Sequence, residues 1–175
     1  MDNYLDGGYH VEHLHKDLSS GLDLSTYEMG TVTEHFSVQR VSGGGQNEDP
    51  RLGQGAKYAF LYPNLMLNRY GPWLDTNAVF PTGRNTSRVV YDYYLESGVW
   101  IELRDRGELE PFVETSLEAS NQVQLEDSMI CGAVQLGLES SGYDVGRYAP
   151  KVEFADLAFH RRLADQYRAA VLEEN

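Results

Sequence analysis

The stretch "KYAFLYPNLMLNRYGPWLDTNAVFPTGRNTSRVVYDYYLES" (residues 57–97) decides the fold. It divides into three runs, 57–70, 72–83 and 86–97, rich in aromatic and β-branched residues and separated by Gly- and Pro-bearing joints. Each run reads as strand, and Pro63 marks a bulge, an edge or a break inside the first. Upstream, "HFSVQRVS" (35–42) alternates as another strand, and "GGGQNEDPRLGQG" (43–55) has the composition of a turn or mobile loop. Neighbouring strands with short turns between them imply an antiparallel sheet. Residues 1–15 mix polar and aromatic residues around a Gly7-Gly8 joint, and 16–34 read as irregular. Downstream the period changes. Pro111 opens a helical pattern that runs to about Ser141, and a last helix covers about 152–172, with Phe159, Leu163, Tyr167 and Val171 at helical spacing. Strands followed by long helices give an α+β fold, with the helices on one side of the sheet.

The 175 residues fit one domain, 1–175, with length enough for a real core. A net charge of −13 disfavours nucleic acid and anionic membrane as partners. One cysteine, Cys131, allows neither an internal disulfide nor a cysteine-ligated cluster. No run approaches membrane-spanning length and no signal peptide opens the chain, so the expected compartment is the cytoplasm.

Two features carry chemistry. On the long helix, Val123, Ile130, Cys131, Val134 and Leu138 form an apolar stripe with Asp127 in its middle. A carboxylate there needs a salt bridge, a hydrogen-bond network or a metal. Near the start, "DGGYHVEHLH" (6–15) holds His10, His13 and His15. Helical spacing pairs His10 with His13. His10 and His15 lie about 140° apart on an ideal helix and converge only across a helix end, a loop or a π-bulge. The plain alternative is three exposed polar side chains. Two imidazoles and a carboxylate are the donor set of non-haem Fe(II) centres that keep positions open for O₂, and zinc competes for the same ligands.

A set of longer stretches decides among these. "DNYLDGGYHVEHLHKDL", "SGLDLSTY", "YPNLMLNRYGPWLDTN", "YDYYLE", "SLEASNQVQLEDSMICGAVQLGLES" and "GRYAP" run in order from residue 2 to about 150. Together they resemble the catalytic domain of Rieske-type mononuclear iron oxygenases, most closely the choline monooxygenase branch. The resemblance implies a helix-grip fold, with a curved antiparallel sheet wrapped around a long helix. It implies His10, His15 and Asp127 as ligands of Fe(II), in place of the His10–His13 pair that spacing favours. It gives Asp6 the place of the acid that couples the iron to a neighbouring subunit's Rieske cluster, although three residues, not the usual two, separate it from His10. Asn3 falls near the iron.

The same resemblance implies O₂ and a small organic substrate, a homotrimeric full-length form, and electrons from a reductase and a Rieske [2Fe–2S] domain or ferredoxin. This chain carries no Rieske domain and reads as an N-terminally truncated catalytic domain. Gly132 and Leu136 stand where an acid and an arginine are expected. The choline branch points to a quaternary ammonium substrate, which aromatic faces recognise. Tyr58, Phe60 and Tyr62 alternate onto one sheet face, as do Tyr91 and Tyr93, and Trp73 and Trp100 are further aromatic candidates. Aromatic-ring dihydroxylation and demethylation are the neighbouring activities. A metal-free helix-grip module that binds a small ligand is the non-enzymatic alternative.

Overall fold

The structure, a computed structural model, describes residues 1–44 and 51–173. Three short helices, α1 (Asp2–Leu5), α2 (Tyr9–Leu14) and α3 (Lys16–Ser20), precede six strands. The strands are β1 (Leu22–Val32), β2 (Phe36–Gly43), β3 (Gly55–Leu61), β4 (Leu65–Tyr70), β5 (Trp73–Gly83) and β6 (Thr86–Leu95). They form one sheet in the order of the chain, each antiparallel to its neighbours. Helices α4 (Ser97–Arg106), α5 (Leu109–Leu138) and α6 (Phe154–Glu173) follow.

The α+β expectation and the antiparallel sheet stand. Pro63 acts as a break: residues 62–64 turn the chain between β3 and β4. Two expectations give way. Residues 16–34 are α3 and the edge strand β1, whose register slips twice against β2 and so hides its alternation. The sheet, expected to span residues 35–105, ends at Leu95, and 97–106 is the helix α4. The central residues of the 43–55 loop, 45–50, lie outside the described residues.

Rows of side chains crossing the sheet place the core. Val41, Ala56, Tyr70, Trp73 and Leu95 are partners across five strands, and all belong to or pack on one apolar cluster. Phe112 at the start of α5 stacks on Trp73, with ring centroids 6.0 Å apart and planes at 12°. The buried small residues Ser116 and Ser120 bring the next turns of α5 close. A second cluster joins Leu5, Phe60, Met66 and Ala155, with Phe159 of α6 edge-on to Phe60 at 5.6 Å.

The expected apolar stripe of α5 is buried only in part. At 30 residues the helix is about 45 Å long and outruns the elements beneath it. Beyond Asp127 it faces solvent, with Ile130 39% and Val134 50% exposed. Asp127 therefore sits where the covered half of the helix ends, not inside a continuous apolar seam.

Candidate metal centre

The short N-terminal helices deliver the imidazoles. Gly7 and Gly8 take left-handed backbone angles (φ 76° and 85°), which fold Asp6 back over the start of α2. Its carboxylate accepts from the backbone N–H groups of Gly8 and His10, both at 2.8 Å, and stands 3.0 Å from His10 Nδ1. A side chain at Gly8 would collide with the Tyr27 ring, so glycine is required there. The extra residue between Asp6 and His10 thus gives an i,i+4 contact within one turn.

Helix α2 stops at Leu14, and His15 (φ −95°, ψ 75°) is the joint to α3. Leaving the helical path turns its ring inward. The ring centroids of His10 and His15 are 5.3 Å apart, with planes at 89°. His13 stays on the exposed side against the Tyr9 ring.

Asp127 arrives from α5. Its Oδ1 accepts from Asn3 Nδ2 at 2.9 Å and lies 3.1 Å from His15 Nε2. Ligand atoms of His10, His15 and Asp127 all lie within 4.8 Å of one another. Two donors at right angles on one ion, each roughly 2.1 Å from it, would be roughly 3 Å apart, which matches the His15–Asp127 separation. Glu126, which sequence reasoning did not single out, takes the other nitrogen: its Oε2 is 2.7 Å from His15 Nδ1. Both histidines therefore have Nδ1 held by a carboxylate, an arrangement that fixes the tautomer and leaves Nε2 as the ligating atom. The donor set and its spacing fit a divalent metal.

His15 is almost fully buried. Burial alone would lower its pKa, but hydrogen bonds and charge from Asp127 and Glu126 outweigh it, and the net direction is upward. In the metal-free chain a proton on His15 therefore favours the fold. That stability is fully present below about pH 6.5 and is lost as pH rises through the raised value. Metal binding needs the nitrogen free, so it strengthens over the same window. Anaerobic Fe(II) titrations between about pH 6 and 8 should show affinity rising with pH; a flat profile would contradict the role of His15 as a ligand.

The other sequence candidates divide. Tyr58 lines a cavity of about 100 Å³ that His10, His15 and Asp127 also line. The Tyr91 hydroxyl donates to Gln124, a residue of the same cavity wall, and Tyr93 packs on the first core cluster. Phe60 and Tyr62, expected beside the substrate, instead pack against Phe159 in the second cluster, because α6 covers that end of the sheet. Trp73 is a core residue and Trp100 is 41% exposed. Gly132 and Leu136 lie on the solvent side of α5.

Comparison with known proteins gives the family of the chain. The ring hydroxylating alpha subunit (catalytic domain) family matches residues 1–169, and the chain belongs to it. Among curated relatives, the chloroplastic choline monooxygenase of Arabidopsis thaliana is 54% identical over 151 residues, 85% of this chain and 34% of that protein. The chloroplastic choline monooxygenase of Atriplex hortensis is 40% identical over 159 residues, 91% of this chain and 34% of that protein. The chain thus spans about a third of the length of these relatives. The crystal structure of the quaternary ammonium Rieske monooxygenase CntA superposes with a TM-score of 0.66 at 20% identity, over 95% of this chain and 45% of that one, a likeness of fold. Among the described residues no helix is long and apolar enough to cross a membrane.

Proposed function

We propose that the chain is the catalytic part of an iron-dependent oxygenase that oxidises a small quaternary ammonium compound such as choline, using O₂ and electrons supplied from outside. The observation that carries this is the convergence of His10, His15 and Asp127 with both imidazoles anchored through Nδ1. The substrate class comes from the names of the relatives. We read the architecture as helix-grip, with α5 as the gripped helix. The chloroplast named for the relatives displaces the cytoplasm as the favoured compartment.

Bound Fe(II) would supply the open coordination positions at which O₂ is reduced beside the substrate. The chain's own residues do the rest. Asp6 and Glu126 orient the two rings, Asn3 fixes the Asp127 oxygen that faces His15, and the tyrosine-bearing cavity beside them receives the substrate. Electrons would come from a Rieske [2Fe–2S] domain or ferredoxin and its reductase. Asp6, hydrogen-bonded to the ring of His10, would couple this iron to the Rieske cluster of a neighbouring subunit in a homotrimer.

The test has two parts. Anaerobic Fe(II) loading should give one iron per chain, and no iron uptake by the folded protein would favour a metal-free ligand-binding module. With choline and O₂, repeated turnover should require an added Rieske donor and reductase, since reductive O₂ activation consumes electrons and one cysteine cannot hold the cluster. Asp6→Asn should weaken iron by about 10–100-fold, as loss of a carboxylate behind a ligating imidazole does. At saturating iron it should still slow turnover, and full donor-dependent activity in that variant would remove the coupling role.

A further inference from the structure

A band of polar side chains crosses the buried face of the sheet beside the metal centre. Gln39, Tyr58, Asn68, Asp75 and Tyr93 are successive partners from β2 to β6, lying next to the apolar row that holds Trp73. Polar groups placed on a core face need partners. Most have them. Gln39 donates to the Tyr4 carbonyl and accepts from the Tyr27 hydroxyl, both at 2.8 Å, and Asn68 Oδ1 accepts from the Tyr4 hydroxyl at 2.8 Å.

Asp75 is the exception. It is only 6% exposed, and its Oδ2 accepts from the Tyr70 hydroxyl at 2.5 Å. Its Oδ1 has no hydrogen bond of normal geometry among the described residues, nor has Oδ1 of buried Asn77 on the same strand; burial pushes the Asp75 carboxyl up, and Tyr70, the neighbouring Asn68 and the Arg51 charge work against that rise. Both side chains line the cavity shared with His10, His15 and Asp127. Tyr4, Tyr27, Tyr58 and Tyr70 line it too, and burial pushes their hydroxyls up, so the rings stay neutral.

We propose that Asp75 is the charge-reading residue of the substrate cavity: with Asn77 and the surrounding tyrosines it forms a subsite for the ammonium head of an organic cation. The inference rests on the oxygenase reading above and adds the residue that selects the substrate. Carboxylate and amide oxygens without donors suit a ligand that brings positive charge or a hydroxyl. Aromatic rings suit a weakly hydrated organic ammonium better than a small inorganic ion, which would ask for six or more oxygens or water. Arg51 also lines the cavity; its guanidinium donates to Ser120 Oγ at 3.2 Å, lies 5.5 Å from the Tyr70 ring centroid and acts on Asp75 through its charge, while Asp75 Oδ1 stays without a hydrogen bond. The carboxylate is thereby offered to a ligand in the same space as the metal ligands, with no step of the oxygenase chemistry assigned to it.

The probe pair is choline and its neutral isostere 3,3-dimethyl-1-butanol, with binding to the full 175-residue chain measured by calorimetry or ligand-observed NMR. The wild type should prefer choline by at least about tenfold, the scale of one desolvated cation–aromatic contact joined to a nearby charge. Asp75→Asn, which keeps an acceptor for Tyr70, should remove most of that preference and leave binding of the isostere unchanged. Asp92→Asn, the same charge change on the exposed side of β6, should leave the preference intact. Equal losses of both probes in Asp75→Asn, or no choline preference in the wild type, overturns the subsite. The wild-type comparison needs no variant to fold. Iron stoichiometry measured on the same sample separates the two readings: iron uptake without choline preference ends the subsite and spares the oxygenase, and choline preference without iron does the reverse.

Discussion

Asp127→Ala is expected to raise the Fe(II) dissociation constant by more than the roughly 100-fold that changes behind a ligand typically cause, and to abolish stoichiometric loading at micromolar protein. The substitution removes one of the three proposed ligands and takes away the Oδ1 that both Asn3 Nδ2 and His15 Nε2 face. His15→Ala should do the same by removing a ring buried between two carboxylates. His13→Ala should leave loading unchanged, because that ring lies on the exposed side of α2 beside Tyr9. Iron counted per chain after anaerobic loading and desalting decides the matter, with circular dichroism to confirm the fold. Equal damage from His13→Ala and His15→Ala would sink the ligand assignment.

Trp73→Ala should cost about 3–5 kcal/mol of unfolding free energy, the usual range for emptying a large buried aromatic site. Trp73 is 5% exposed, sits in the apolar row across the sheet and carries the stacked ring of Phe112. That stack docks the first turn of α5, and the same helix brings Asp127 to the histidines four turns later. The variant should therefore lose iron affinity as well as stability, though Trp73 touches no ligand. Denaturant unfolding and an Fe(II) titration on one preparation measure both. A stability loss under about 1 kcal/mol would mean that α5 is held by other contacts.

The sheet was legible because its inner strands alternate cleanly and its turns carry Gly and Pro, and α5 and α6 because their apolar residues keep a helical period. Strand β1 was not, since its slips against β2 break the alternation over an exposed edge. Nor was α4, a mostly polar helix that starts two residues after β6 with no buried face to mark it. Within the centre, residue spacing favoured His10 with His13, whereas the structure brings His10 and His15 together. His10 and His15 meet only because α2 ends between them, and a helix end set by the His15 backbone leaves little trace in a six-residue segment. The resemblance named the pair that the structure brings together. Glu126 and Asp75 escaped both routes. Their partners lie across the fold or are missing within it, and a sequence does not display which buried oxygen has been left without a donor.

The sheet pairs each strand only with its neighbours in the chain, whereas the candidate metal centre joins the chain's beginning to its long helix, with His15 and Asp127 separated by 112 residues. An ion held there acts as a removable cross-link on a loop that local pairing never closes. At a free Fe(II) level a hundredfold above the dissociation constant, it would add about 2.7 kcal/mol to the folded state. Quality control in a cell responds to differences of that size, since proteolysis follows the population that opens. Such a chain would persist when iron is plentiful and be cleared when iron is scarce, so that its abundance, and not only its occupancy, would track the metal supply.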